Sequence, residues 1–546
     1  MSGWSSHLVL VPILLPLLAG ATMLLFDERS RTLKAGINLA ATLALMAAAA
    51  RLLYVADSAG FDSPLNVYLL GNWAAPFGIV LVLDKLSALM LMLTSILALA
   101  SLVFSLARWH RAGVYYHALF QFLLMGLNGA FLTGDLFNLF VFFEVMLAAS
   151  YGLVLHGSGV VRVRAGMHYI AINLVASFLF LIGVSLIYGV TGTLNMADLA
   201  VRVPQVAAED RMLLEAGAAV LGVAFLVKAG MWPLSFWLPT TYTAAAPPVA
   251  AIFAIMSKVG VYVVLRLSLL LFSGGVEEPA QFGGDWLLYG GMATIAFGMI
   301  GVLAAQDTAR IAGFTILVSS GTLLAAIGTN RVDVTVGALF YLVSSTLAIS
   351  AFFLLVELIE RGREFGADML AVTREAFGEY DETETEDDID VGTPLPATMA
   401  ILGICFLSCA VLLAGLPPLS GFIAKFAILA GLIQTAGPDG AGAVAGATWA
   451  FVALLILSGF AALIAMVRAG IRSLWDSEED HVPRIGVIEM APVAGLLLLC
   501  AALTVQAGPV MAYMQATARS LHEPGPYVQD VLATPRSLPS ALESRP

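Results

Sequence analysis

This chain has little charge. Only 12% of its 546 residues are Asp, Glu, Lys or Arg, against about 25% in ordinary soluble domains. No basic patch is present to neutralise phosphates, so nucleic acid is not an expected partner. Cysteine is nearly absent: Cys405, Cys409 and Cys500 lie in apolar runs without CxxC or Cys/His spacing. Metal and iron–sulfur sites are therefore unsupported. There is no GxxxxGK[ST] and no strand–GxGxxG–helix, so nucleotide chemistry has no anchor and no cofactor is expected. A cleavable signal peptide is not expected either. The run from His7 to Phe26 is long enough to span a bilayer, and it lacks a basic leader and a clean small-residue cleavage site.

What is present is apolar sequence. Hydrophobic residues make up 60% of the chain and mean hydropathy is +0.92, the composition of a polytopic membrane protein with lipid around it. Apolar runs of about 20 residues occur at roughly 6–26, 34–55, 84–107, 114–133, 135–155, 166–189, 212–238, 245–272, 286–305, 309–328, 334–359, 397–434, 447–470 and 486–510. The expected fold is all-α, with about fourteen transmembrane helices. The seventh and twelfth runs exceed one straight crossing and hold Pro and Gly near their middles.

Lys and Arg fall mainly in alternate loops. Arg31, Lys34, Arg108, Arg111, Arg162, Arg164, Arg310, Arg361, Arg468 and Arg472 lie on one side, and only Arg51, Arg202, Arg211, Arg331 and a few tail residues on the other. The richer side is read as cytoplasmic, which puts both termini outside a bacterial inner membrane. The net charge of −12 is partly local, because eight of the twelve residues from Glu379 to Asp390 are acidic. That run reads as a solvated cytoplasmic insertion, or else as a docking loop.

Two segments echo one another. Span seven carries Trp232-Pro233-Leu234-Ser235-Phe236, and span twelve carries Pro417-Pro418-Leu419-Ser420-Gly421-Phe422. They are five spans apart and so cross in opposite directions, the pattern of an inverted repeat with broken helices at Pro233 and at Pro417 and Pro418. The chain divides on this reading into residues 1–112 (helices one to three), 113–272 (first repeat, helices four to eight), 273–475 (second repeat, helices nine to thirteen, with an acidic loop at 361–395) and 476–546 (helix fourteen and tail).

Ionisable groups inside spans are costly and mark ion pathways. Glu144 lies nine positions after Asp135, about 13 Å along a helix that rises about 1.5 Å per residue. Lys228 precedes the first break, Lys258 is central in span eight, and Lys425 follows the second break. Lys228 is the natural partner for Glu144. Burial disfavours an ammonium and a nearby carboxylate favours it, so a lysine held between the two can take and release protons. The plainer alternatives are a structural ion pair for Glu144 and snorkelling lysines, which is most credible for Lys425. His168 opens span six, either at a proton entry or simply at the interface. Ser319, Ser320, Ser344, Ser345 and Thr346 line a wet path or merely pack helices. Asp84, Lys85 and Arg266 read as interfacial, and Glu215 as sitting at an outer mouth.

The segments GDLFNLFVFFEVMLAASYGL, FLVKAGMWPLSFWLP, AAAPPVAAIFAIMSKVGVY and AGLPPLSGFIAKF resemble the antiporter-like proton-channel family. That family comprises the Mrp (Pha) cation/proton antiporter subunits and the pumping membrane subunits of respiratory complex I. The resemblance covers roughly 80–470, and within the family the chain is most similar to the D-type branch of the Mrp system. It implies a transporter subunit, not an enzyme. Its expected role is proton conduction, within a complex of small membrane subunits and a longer A-type one that exchanges H⁺ for Na⁺ or K⁺. It implies that Glu144 and Lys228 form the coupled pair, that Lys258 relays, and that Lys425 lies near the far end. A proton-pumping subunit of a complex I-like or hydrogenase-like redox complex is the alternative. A scaffold whose buried charges only lock the assembly is another. The chain departs from many relatives in span eleven, which offers no His or Lys. A relay there would have to use Tyr341, Ser344, Ser345, Thr346 or water.

Overall fold

A computed structural model of the chain describes residues 6–27, 30–58, 66–113, 115–272, 282–377, 397–434, 446–475 and 485–536. The acidic run 379–390 lies outside them. Among the described residues nineteen α-helices follow in chain order. The first six are α1 (Val11–Leu24), α2 (Arg31–Ser58), α3 (Lys85–Ala107), α4 (Tyr116–Leu132), α5 (Leu136–Val154) and α6 (Val160–Thr191). Then come α7 (Met196–Arg202), α8 (Ala208–Ala229), α9 (Trp237–Ala244), α10 (Pro247–Leu271), α11 (Gly284–Ala304) and α12 (Thr308–Gly328). The last seven are α13 (Val332–Phe377), α14 (Ala397–Ala414), α15 (Ser420–Ile433), α16 (Gly446–Gly470), α17 (Val487–Val505), α18 (Ala507–His522) and α19 (Gly525–Ala533).

Thirteen helices among the described residues are long and apolar enough to cross a membrane. The fourteenth crossing is α4, apolar but shorter. The seventh crossing is α8 with α9 and the twelfth is α14 with α15, so the fourteen runs of the sequence are recovered with both breaks. Among the described residues, the one departure from helical structure that forms a sheet is a hairpin between spans two and three. It pairs β1 (Asn66–Leu69) and β2 (Val80–Leu83), antiparallel with Asn66 opposite Leu83.

The breaks are built alike. Each first half ends on a glycine with positive φ, Gly230 (+74°) and Gly415 (+74°), where a side chain would be strained. Aligning these glycines extends the echo to Ala-Gly-x-x-Pro-Leu-Ser, residues 229–235 and 414–420. Lys228 then matches Leu413, not Lys425. Backbone groups freed in a span must find partners. At the first break the Trp232 nitrogen donates to Thr294 Oγ1 at 2.8 Å and Trp237 Nε1 donates to the Val227 carbonyl at 3.3 Å.

The repeats also share a clamp. Near the start of α6, Arg162 donates to the carbonyl of Ala244 at the end of α9, 2.8 Å away. Just before α13, Arg331 donates to the carbonyls of Gly431 and Leu432 at the end of α15. In each repeat the third helix thus supplies a cation to the carbonyl end of the broken helix, which the helix dipole favours.

Packing without water to drive it depends on close approach. Gly291 on α11 and Gly321 on α12 face each other: a Cβ on Gly291 would lie 2.4 Å from the Ala325 nitrogen. The core is α10 and α13. Every residue of their apolar windows is buried, compared with 33% for α6 and 28% for α17, which lie at the periphery.

Candidate functional site

Lys228 is the penultimate residue of α8, buried beside the first break. Its Nζ donates to Asn173 Oδ1 on α6 at 2.8 Å and lies 5.9 Å from the centre of the Phe143 ring. Glu144 on α5 makes no ion pair with it. The carboxylate is half-buried and its Oε1 is a buried oxygen without a hydrogen-bond partner.

Lys258, at the middle of α10, is completely buried. Its Nζ donates to Ser319 Oγ at 2.9 Å and Ser320 Oγ at 3.4 Å, both on α12. Ser319 Oγ bonds Ser345 Oγ on α13 at 3.0 Å. One residue back along α13, Ser344 Oγ bonds Ser420 Oγ, the first residue of α15, at 2.8 Å. Against Ser344 and Ser345, the α13 members of these pairs, lies a cavity of about 20 Å³ whose walls also include Thr315, Tyr341, Leu413 and Ser458. That is room for one water, with polar partners to hold it. Leu413, the counterpart of Lys228, forms part of the wall.

Lys425 lies further along α15. It turns back across the second break, and its Nζ donates to the carbonyls of Ala414 at 3.0 Å and Leu413 at 3.5 Å, the last residues of α14. Beside it is a cleft of about 210 Å³ lined by Gly415, Lys425, Phe426, Leu455, Gly459 and Phe460 among others. None of the three lysines is in an ion pair among the described residues. Each is held by neutral oxygens.

A family model described as NADH:quinone oxidoreductase/Mrp antiporter, TM matches residues 133–449, the stretch that holds Glu144, all three lysines and both breaks. The chain belongs to this family. It is 60% identical over 538 residues to a probable K(+)/H(+) antiporter subunit, of type D, from Rhizobium meliloti, covering 98% of this chain and 99% of the relative. It is 33% identical over 535 residues to the D-type subunit of the Na(+)/H(+) antiporter of Alkalihalophilus pseudofirmus, covering 96% and 99%. A chain of the Mrp complex from Dietzia superposes with a TM-score of 0.78 at 26% identity, covering 97% of this chain and 100% of that one.

In this Mrp-family chain the structure brings Lys258, Ser319, Ser344 and Ser345 into one buried group, with Tyr341 on its wall. It leaves two other expected residues outside. Thr346 Oγ1 bonds the Leu342 carbonyl of its own helix at 2.6 Å, so its hydroxyl proton is spent locally. His168 is exposed on α6 and makes none of the site's hydrogen bonds.

Asp84 and Arg266, read as interfacial, are both buried and bonded to each other. Arg266 Nη2 donates to Asp84 Oδ1 at 2.9 Å and Oδ2 at 2.7 Å. Glu215, by contrast, is only half-buried and sits 3.6 Å from Arg211.

Sequence reasoning passed over Asn173, Ser420 and Ser458. Asn173 had a readable signal, being a lone amide inside an apolar run. Ser420 and Ser458 had none, since isolated serines are ordinary packing residues in membrane helices.

Proposed function

We propose that this chain conducts protons as the D-type subunit of a multisubunit Na⁺ or K⁺/H⁺ antiporter driven by the proton gradient. It would sit in a bacterial inner membrane with both termini outside. The observation that carries the reading is the set of three buried lysines held only by neutral oxygens. An ammonium without a counter-ion in a low-dielectric span is poised to lose its proton.

Glu144 and Lys228 act as the entry switch. When Glu144 is neutralised, Lys228 loses the one nearby charge that favours its ammonium form. Lys258 receives the proton and passes it to Ser319. A hydroxyl both donates and accepts, so Ser319, Ser345, a water in the cavity, Ser344 and Ser420 support transfer across α13 without a titratable base. Lys425 lies a turn and a half beyond Ser420 and delivers protons onward. In this reading residues 113–272 and 273–475 are the two halves of the path, and small membrane subunits with a longer A-type one complete the machine. The names of the relatives support this assembly, and the 60% identical relative makes K⁺ the first cation to try.

The test is exchange in vesicles holding the whole complex, driven by an imposed proton gradient without any redox substrate, with K⁺ and Na⁺ compared. Glu144→Gln is expected to reduce exchange to background while Glu144→Asp keeps part of it. Equal, near-native rates in both would overturn the switch. Coupling only to a redox reaction would favour a role in a redox-driven pump.

A further inference from the structure

The lysine of the entry switch is bonded to an amide instead of to the carboxylate. Asn173 is almost fully buried on α6, with 1% exposure, and its amide can face only one way. Nδ2 donates to the Tyr169 carbonyl one turn back, at 2.8 Å. Oδ1 is left for Lys228 Nζ, at 2.8 Å, with the Asn173 carbonyl 3.5 Å from the same ammonium. Tyr169 is in turn tied to the helix of Glu144, since its hydroxyl and Ser150 Oγ on α5 lie 2.7 Å apart. A packing amide in a membrane helix bonds across to another helix's backbone or amide. This one spends its donor on its own helix and its acceptor on a lysine. Glu144, meanwhile, keeps a buried oxygen with no hydrogen-bond partner.

We propose that Asn173 is the second docking point of the Lys228 ammonium. The lysine then has two acceptors, a carboxylate that retains its proton strongly and a neutral amide that retains it weakly. On Asn173 the ammonium is held apart from Glu144, and Asn173 sets how readily the proton leaves. It is a positioning residue: it acts through Lys228 and carries no proton itself.

The titratable side chains on the elements packed around Lys228 are Glu144 and Tyr151 on α5, Tyr169 on α6, Tyr242 on α9 and Lys258 on α10, besides Arg164, His168 and Tyr188, which are exposed on α6, and Arg162, whose guanidinium is bonded to the Ala244 and His156 carbonyls. Tyr262 and Arg266 lie further along α10 and are tied to Asp84 and the Phe131 carbonyl. Glu144 is the one carboxylate on α5, α6, α9 and α10.

The inference rests on Lys228 being a proton carrier, and its test separates the two ideas. Exchange is measured against pH in vesicles holding the whole complex, for Asn173→Leu, Asn173→Asp and Lys228→Ala, with assembly checked for each. Asn173→Leu removes a charge-assisted hydrogen bond to the ammonium and is expected to move the pH profile about one unit to lower pH. Asn173→Asp is isosteric. It adds a carboxylate that retains the ammonium, and is expected to move the profile to higher pH and slow exchange at least about tenfold. A merely structural role would lower both rates without opposite shifts, and that result overturns the proposal. So do unshifted, normal profiles in both variants while Lys228→Ala is inactive. Normal exchange in Lys228→Ala would overturn the carrier role and this inference together.

Discussion

Arg266, near the end of α10, grips both oxygens of Asp84 at the start of α3, at 2.9 and 2.7 Å. The pair is buried and further enclosed. Arg266 Nε donates to the Tyr262 hydroxyl at 3.0 Å, and the Tyr527 ring on the C-terminal α19 lies 5.6 Å from the guanidinium. Asp84 also accepts from the Ser87 nitrogen at 2.8 Å and so caps α3. One ion pair thus ties the N-terminal helices to the central helix under a lid of tail residues.

Removing one partner strands the other. Asp84→Ala is expected to destabilise the fold by about 3–5 kcal/mol, while an apolar pair at both positions recovers most of the loss. Thermal unfolding of the purified protein in detergent measures both. If Asp84→Ala melts like the parent chain, the pair is not a structural tie.

The hydroxyls of α13 carry the proposed path past the span that has no His or Lys. Ser344→Ala and Ser345→Ala are each expected to slow exchange about fivefold, the equivalent of one neutral hydrogen bond. The double variant is expected to lose far more, because both hydroxyl pairs then lose their α13 member and Tyr341 is the α13 hydroxyl left on the cavity wall. Initial rates in vesicles decide this. A double variant as fast as the parent would move the path elsewhere.

Lys425 supplies a charge and also closes the carbonyl end of α14. Lys425→Met keeps its bulk and removes both. Exchange is expected to fall at least about tenfold, from loss of a proton-binding group on the path, with the complex still assembled. Retained exchange would leave Lys425 as a cap alone, with no part in transport.

Acid should weaken the fold at one end of the bundle. His110 follows α3 and bonds the Ser105 carbonyl at 3.2 Å, while His156 follows α5 and bonds the Trp109 carbonyl at 2.8 Å. Burial, reinforced by the nearby cations Arg111 and Arg162, holds both imidazoles below their ordinary range despite those hydrogen bonds. The unfolded chain therefore takes up these protons first. Stability from the two groups is full above about pH 6.5 and falls as pH drops below it. Melting temperatures from about pH 8 to about pH 5 should show that decline, and His110→Gln with His156→Gln should flatten it. An unchanged slope in the double variant would assign the decline to other groups.

Much of the architecture is legible in consecutive residues. A span needs about 20 apolar residues, so composition along the chain marks fourteen crossings. Proline and glycine near the middle of a run too long for one straight crossing mark the two crossings that break, because they remove a donor or free the backbone there. Glu144, Lys228, Lys258 and Lys425 stand out because charge inside a span is costly. All of these are local properties.

The partners of those charges are not local. Lys228 reaches Asn173 across 55 positions, Lys258 reaches Ser319 across 61, and Arg266 reaches Asp84 across 182. Which helix face meets which depends on how fourteen crossings pack together, and spans that are apolar all round carry no periodicity to announce it. The sequence alone therefore determined that charges are buried in broken, repeated spans. Only the tertiary structure decided that each lysine rests on neutral oxygens, that serines bridge the span lacking a His or Lys, and that Asp84 and Arg266, each read separately as interfacial, form a buried tie.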